Sequence, residues 1–139
     1  MGLVFTLEIH GEKAKWCAKY SKSTGDHLEA CLAEAGTLQL EFQYLSDVTG
    51  NPIYATKALK AMDQVIAIPR GPLNLYSQNL FINKLQYSRD RFGIAGCTDS
   101  FYEYLLKLGL ATGDEKYIQA YHEAADVNYT YVDMLNGLI

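Results

Sequence analysis

Positive charge is scarce here and nowhere concentrated: 12 Lys and Arg stand against 16 Asp and Glu, for a net charge of -4. A chain without a basic stripe is not built to bind nucleic acid. Cysteine is equally sparse, with only Cys17, Cys31 and Cys97. No C-x-x-C spacing occurs, so a zinc or dithiol redox motif has no support. One disulfide with a spare thiol and three reduced thiols both fit that count. His10, His27 and His122 lack metal-ligand spacing. No apolar run approaches the length of a membrane span. The opening MGLVFT is too short for a signal peptide and lacks its basic region. It does fit the pattern M-G-x-x-x-[ST] for myristoylation, and Asn128-Tyr129-Thr130 fits the N-glycosylation pattern. Both patterns are short enough to occur by chance.

What is present describes one folded unit. The 139 residues are 49% hydrophobic and 20% charged, enough to bury a core within a single domain. Eleven tyrosines fit half-buried, wet surfaces, sugar sites among them, and also plain packing.

Within MGLVFTLEIH, Val4, Thr6 and Ile9 favour a short strand. The stretch that follows is polar, and its Ser, Thr, Gly and Asp end reads as loop. Leu28, Cys31, Leu32, Ala35, Leu38, Phe42, Leu45 and Val48 then recur at three and four, which predicts a helix over about 28–49. A start nearer Leu32, with 21–31 as loop, fits the same pattern. Gly50 stops this helix, and Asn51-Pro52 caps and starts another over about 52–67. Residues 68–97 lose the helical period after Pro69, Gly71 and Pro72. They read as one or two short strands or an ordered loop.

Helical spacing returns at Phe101, Leu105 and Leu108, predicting a helix over about 100–112. Ser100 and Glu103 form an S-x-x-E capping box, and Gly113 supplies a left-handed stop. Asp99 then falls just ahead of a helix start, where the partial positive charge favours an ionised carboxylate. Read alone, such an Asp is most often a helix-end device. Asp114 caps a last helix over about 115–135. The expected core lies between the two first helices, at Leu38, Leu45, Phe101, Leu105 and Leu108.

A repeat underlies this order. With an offset of 63 residues, from Gly50 to Gly113, Leu38 meets Phe101, Leu45 meets Leu108, Tyr54 meets Tyr117 and Ala61 meets Ala124. Each copy is an antiparallel helical hairpin joined at Thr-Gly. The two hairpins run over about 28–67 and 100–135. The period exceeds that of the common short helical repeats and suits a toroid of inner and outer helices. Glu34 maps onto Cys97, two positions before Asp99. Both acids therefore fall at the entry of the first helix of their hairpin, at one end of the structure. A carboxylate pair there suits glycoside hydrolysis, although sixteen acids make coincidental pairs easy.

Two long blocks carry a family resemblance: LAEAGTLQLEFQYLSDVTGNPIY (32–54) and AGCTDSFYEYLLKLGLATGDEKY (95–117). They resemble the signature blocks of glycoside hydrolase family 47, the class I α-1,2-mannosidases that trim N-glycans in the ER and Golgi. The resemblance extends over most of 16–135. It implies a mainly α fold, helical hairpins from an (α/α) barrel of seven, incomplete here and with a short β or loop insertion. Residues 1–139 are then a partial domain of that family. It also implies an inverting, calcium-dependent hydrolase acting on mannose-rich N-glycan in the secretory pathway. Asp99 matches one of the family's catalytic carboxylates, and Glu34 matches a Glu that lines the mannose subsite. Where Cys97 and Thr98 stand, the family usually has Arg or Leu, and Gly or Ala. No residue here matches the family's upstream Glu block, or its downstream Glu and calcium-binding Thr. The expectation is a fragment inactive by itself, with no metal ligand of its own. The alternative is a non-catalytic helical module that binds mannose-type glycan, or a partner protein through exposed helical faces.

Overall fold

A computed structural model describes residues 6–9, 12–15, 23–24, 27–81 and 84–136, with side chains from 29 to 81 and 84 to 126. Residues 1–5, His10, Trp16 and Cys17 lie outside the described residues. The expected first strand is β1 (Thr6–Ile9), and it pairs antiparallel with β2 (Glu12–Lys15). The polar stretch was expected to be loop at its Ser, Thr, Gly and Asp end, where Ser23–Thr24 instead forms a short strand. Its EKAK segment has little strand propensity, and pairing with a neighbour overrides it.

Next come β3 (Ser23–Thr24), β4 (His27–Cys31), α1 (Leu32–Gly36), α2 (Gln39–Thr49) and α3 (Ile53–Ile66). A 3-10 turn at Pro72–Asn74 leads to β5 (Asn79–Phe81) and β6 (Gln86–Tyr87). Helices α4 (Asp99–Thr112) and α5 (Glu115–Asn136) complete the described residues. Strands β3-β4-β5-β6 form one antiparallel sheet in that order. The insertion between the hairpins thus holds two short strands, and they add to a sheet begun before the first hairpin.

The single helix expected over 28–49 is not formed. Residues 27–31 are strand, and the helical part breaks at Thr37 and Leu38. β4 pairs with β5 as Glu29↔Phe81, Ala30↔Leu80 and Cys31↔Asn79. That long-range ladder satisfies its backbone groups and defeats a helical period resting there on few residues. The break is closed by side chains. Thr37 Oγ1 donates to the Ala33 carbonyl at 2.7 Å. The fully buried Gln39 accepts the Leu38 N–H on Oε1 at 3.0 Å and donates from Nε2 to the Ala35 carbonyl at 3.2 Å. Groups that a helix end orphans are thereby paired.

The two hairpin turns are nearly superposable in their chemistry. Gly50 and Gly113 take φ 69° and 72°, the left-handed conformation that glycine adopts without a Cβ penalty. Thr49 and Thr112 each donate a hydroxyl to the carbonyl four residues back at 2.7 Å. Asn51 and Asp114 accept the N–H two residues on, at 3.1 and 3.2 Å. Pro52 has φ -70° and ψ -8°, helical values, and leads directly into α3 behind Asn51.

The core matches the expectation on α4 but not on α2. Phe101, Leu105 and Leu108 are fully buried, together with Leu32, Met62, Val65, Tyr76, Leu80 and Tyr117. Leu38 and Leu45 are only half-buried. Helix α2 flanks the core and does not fill it: α4 is covered by α1, whose Gly36 lies against Phe101, by Tyr76 of the insertion and by α5. Glu29 on β4 is buried as well. Its carboxylate accepts from Ser88 Oγ at 2.7 Å and from Arg89 Nε at 3.0 Å. A buried carboxylate so paired anchors the sheet to the residues after β6.

Candidate active site

Asp99 stands in the first turn of α4 and not ahead of it. The capping box is absent. Thr98 occupies the cap position, which makes Ser100 already helical, and Glu103 pairs instead with Lys107 at 3.2 Å. The turn before α4 is held from inside. Thr98 is fully buried, and its hydroxyl lies 2.8 Å from both the Gly93 and the Ala95 carbonyl oxygens. The backbone N–H groups of Thr98 and Asp99 also converge on the Ala95 carbonyl, at 3.0 and 3.1 Å. Tyr102 pins the other side: its hydroxyl accepts the Tyr76 N–H at 3.0 Å and donates to the Gly93 carbonyl at 3.3 Å. Burial pushes this phenol up to about 12, so it stays a neutral donor at any physiological pH.

Glu34 lies on α1, which packs directly on α4. Gly36 allows the approach, since a Cβ there would fall 2.2 Å from Phe101 Cδ2. The first turns are joined where the Ala33 N–H donates to the Cys97 carbonyl at 2.8 Å. Glu34 is thus one residue from that bond on one side, and Asp99 two residues from it on the other. The structure brings both acids to one end of the paired helices, and both are exposed. Asp99 Oδ1 accepts the Ser100 N–H at 2.9 Å, which limits its rotation.

Chemically, two exposed carboxylates on rigid helix starts can accept hydrogen bonds from hydroxyl-rich ligands, and one can take a proton from water. They cannot by themselves hold a calcium ion, which requires six to eight oxygen ligands. Among the described residues no three His, Cys, Asp or Glu side chains converge, so the donor set does not fit that ion.

The geometry also assembles residues that sequence reasoning left apart. Cys31 and Cys97 meet at the same junction, the Cys31 thiol donating to the Cys97 carbonyl at 3.4 Å. Nothing in the sequence pairs them, since the contact depends on the β4–β5 ladder placing Cys31 at the end of a strand. Tyr104 donates to Glu41 at 2.6 Å across α4 and α2. That contact joins repeat-equivalent positions, so the 63-residue offset could have signalled it.

Comparison with known proteins agrees with the blocks that define this site. Human "ER degradation-enhancing alpha-mannosidase-like protein 3" is 34% identical over 109 residues, covering 78% of this chain and 12% of that protein. The Drosophila melanogaster "Mannosyl-oligosaccharide alpha-1,2-mannosidase IA" is 39% identical over 95 residues, covering 67% of this chain and 14% of the relative. The chain thus spans about one-eighth of the length of these relatives. Among solved structures, the alpha-1,2-mannosidase from Trichoderma reesei superposes with a TM-score of 0.57 at 31% identity, covering 74% of this chain and 22% of that one. The fold is accordingly mainly α, with helical hairpins of the (α/α) barrel kind. The sequence profile described as "Glycosyl hydrolase family 47" matches residues 7–134, nearly the whole chain, and the chain therefore belongs to glycosyl hydrolase family 47.

Proposed function

We propose that this chain forms one wall of an α-1,2-mannosidase cleft, with mannose-rich N-glycan as the substrate. In this reading Asp99 is one of the catalytic carboxylates and Glu34 contacts the mannose. The observation that carries it is the Ala33–Cys97 hydrogen bond of 2.8 Å, which sets the two acid-bearing helix starts side by side. Inversion at a glycosidic carbon requires an acid for the leaving oxygen and a base for water on the opposite face. Asp99 cannot be both, and no third matched carboxylate stands beside it. Calcium belongs to the complete family site, and its ligands are expected from outside the described residues. The secretory pathway, ER or Golgi, is the expected setting. Among the described residues no helix is long and apolar enough to cross a membrane.

Two measurements on the purified chain test this. The chain should release no mannose from α-1,2-linked mannobiose, with or without calcium, because general acid assistance alone is worth roughly 10²–10⁴ in rate. A mannose-rich glycan should still shift the backbone amide signals of residues 33–34 and 97–100 in NMR. Shifts confined to other residues would remove the site assignment. Mannose release abolished by Asp99→Asn would show that the chain supplies the missing acid itself.

A second reading has its own observation. Tyr44, Val48 and Leu110 are 71%, 65% and 71% exposed, apolar surface that a protein partner would cover. In that case the hairpins are a binding module, and the glycan would leave residues 33–34 and 97–100 unshifted.

A further inference from the structure

Cys31 closes β4 and stands at the start of α1, while Cys97 lies exposed in the turn before α4. Cys97 takes φ 75°, a left-handed conformation that L side chains seldom adopt. That turn aims its carbonyl at α1, where it accepts two donors, the Ala33 N–H at 2.8 Å and the Cys31 thiol at 3.4 Å. Two free cysteines 66 residues apart are therefore gathered at one oxygen. We propose that Cys31 and Cys97 form a reversible disulfide that staples the β4–α1 junction to the turn launching α4.

The chemistry needs only a small exchanging disulfide such as oxidised glutathione. The exposed Cys97 thiolate attacks one glutathione sulfur, releases one glutathione thiolate and becomes a mixed disulfide. The Cys31 thiol leaves the Cys97 carbonyl, gives its proton to solvent and attacks the Cys97 sulfur, expelling the second glutathione thiolate. Two protein thiols lose two electrons and two protons, and one glutathione disulfide becomes two thiols. Burial, then the neighbouring Cys97 side chain, push the Cys31 thiol up to about 11. Exchange should accordingly run faster as pH rises, because the thiolate is the nucleophile. The pairing stands whether or not the adjacent acids bind sugar.

The test uses the whole chain and a Cys17→Ser variant, each equilibrated in a glutathione redox buffer. Expected is one peptide pair linking Cys31 to Cys97, two hydrogens lighter than the reduced pair, in a monomeric protein. Oxidation should raise Tm by roughly 5–15 °C, as closing a long loop does, and dithiothreitol should reverse it. Cys31→Ser and Cys97→Ser should each abolish that rise. Four results overturn the proposal: a lasting glutathione adduct on Cys97 with Cys31 free, a disulfide from Cys17 to either residue, disulfide-linked dimers, or no oxidation of Cys31.

Discussion

Hairpins α2–α3 and α4–α5 share a turn and differ in which helix is buried. Both turns use a left-handed glycine, and both preceding threonines donate to the fourth carbonyl back at 2.7 Å. Beyond the turn they part. In the second hairpin the first helix is the central one, with Phe101, Leu105 and Leu108 fully buried. In the first hairpin the equivalent Leu38 and Leu45 are half-buried, and the second helix supplies the core through Ala58, Ala61, Met62 and Val65. Turn chemistry is settled within a few residues and repeats faithfully. Burial depends on what stands next to each hairpin: α1 and Tyr76 pack against Phe101 at the start of α4.

The largest expected difference is between Leu108 and its counterpart Leu45. Leu108→Ala should destabilise by ~2–5 kcal/mol and Leu45→Ala by ~1 kcal/mol in urea unfolding. Equal losses would mean that the two first helices are equally central. Gly109 and Ser46 come next, also equivalent positions. A Cβ on Gly109 would lie 2.4 Å from Ile118 Cγ1 and 3.1 Å from its backbone nitrogen, so Gly109→Ala should cost ~1–3 kcal/mol. Ile118→Ala should recover part of that loss in a double-mutant cycle. Ser46 Oγ instead accepts the Ala55 N–H at 2.8 Å, and Ser46→Ala should cost ~1 kcal/mol through the orphaned donor. Gly50→Ala and Gly113→Ala should each cost ~1 kcal/mol. A difference beyond ~0.5 kcal/mol between them would break the equivalence of the turns.

Smallest is the hydrogen bond that joins α4 to α2 at equivalent positions of the two copies. The Glu41 hydrogen bond, then burial, raise Tyr104 from 10.0 to about 12. A group whose folded value is raised contributes fully below its unfolded value and loses that contribution as pH climbs to the folded one. Tyr104→Phe should therefore shift stability by no more than ~0.5 kcal/mol at pH 7. The difference between the two proteins should vanish between pH 10.0 and about 12. A difference that grows across that range would contradict the assignment.

The hairpins α2–α3 and α4–α5 and their turns were legible in the sequence, and residues 68–97 read as one or two short strands or an ordered loop, where the structure forms β5 and β6. Gly50, Gly113, Asn51 and Asp114 act locally, and local chemistry can be read without the rest of the chain. The strand at His27–Cys31 was not legible, because its partner lies at Asn79–Phe81 and apolar period alone cannot announce a distant pairing. The same ladder places Cys31 against the Cys97 turn, so the thiol pair was hidden for the same reason. The capping box misled because Thr98, turned inward to the Gly93 and Ala95 carbonyls, starts the helix earlier than Ser100.

That ladder also orders events in time. The hairpins close through neighbours in sequence, and such contacts form within microseconds to milliseconds. β4 must find β5 across a loop of about fifty residues, where closure entropy opposes the search. Glu29 cannot reach Ser88 and Arg89 until the ladder forms, so a buried carboxylate waits unpaired on the outcome. Docking of the five-residue strand β4 is therefore expected to follow closure of the hairpins. Until it docks, the edge of β5 is open to any other chain that offers a strand.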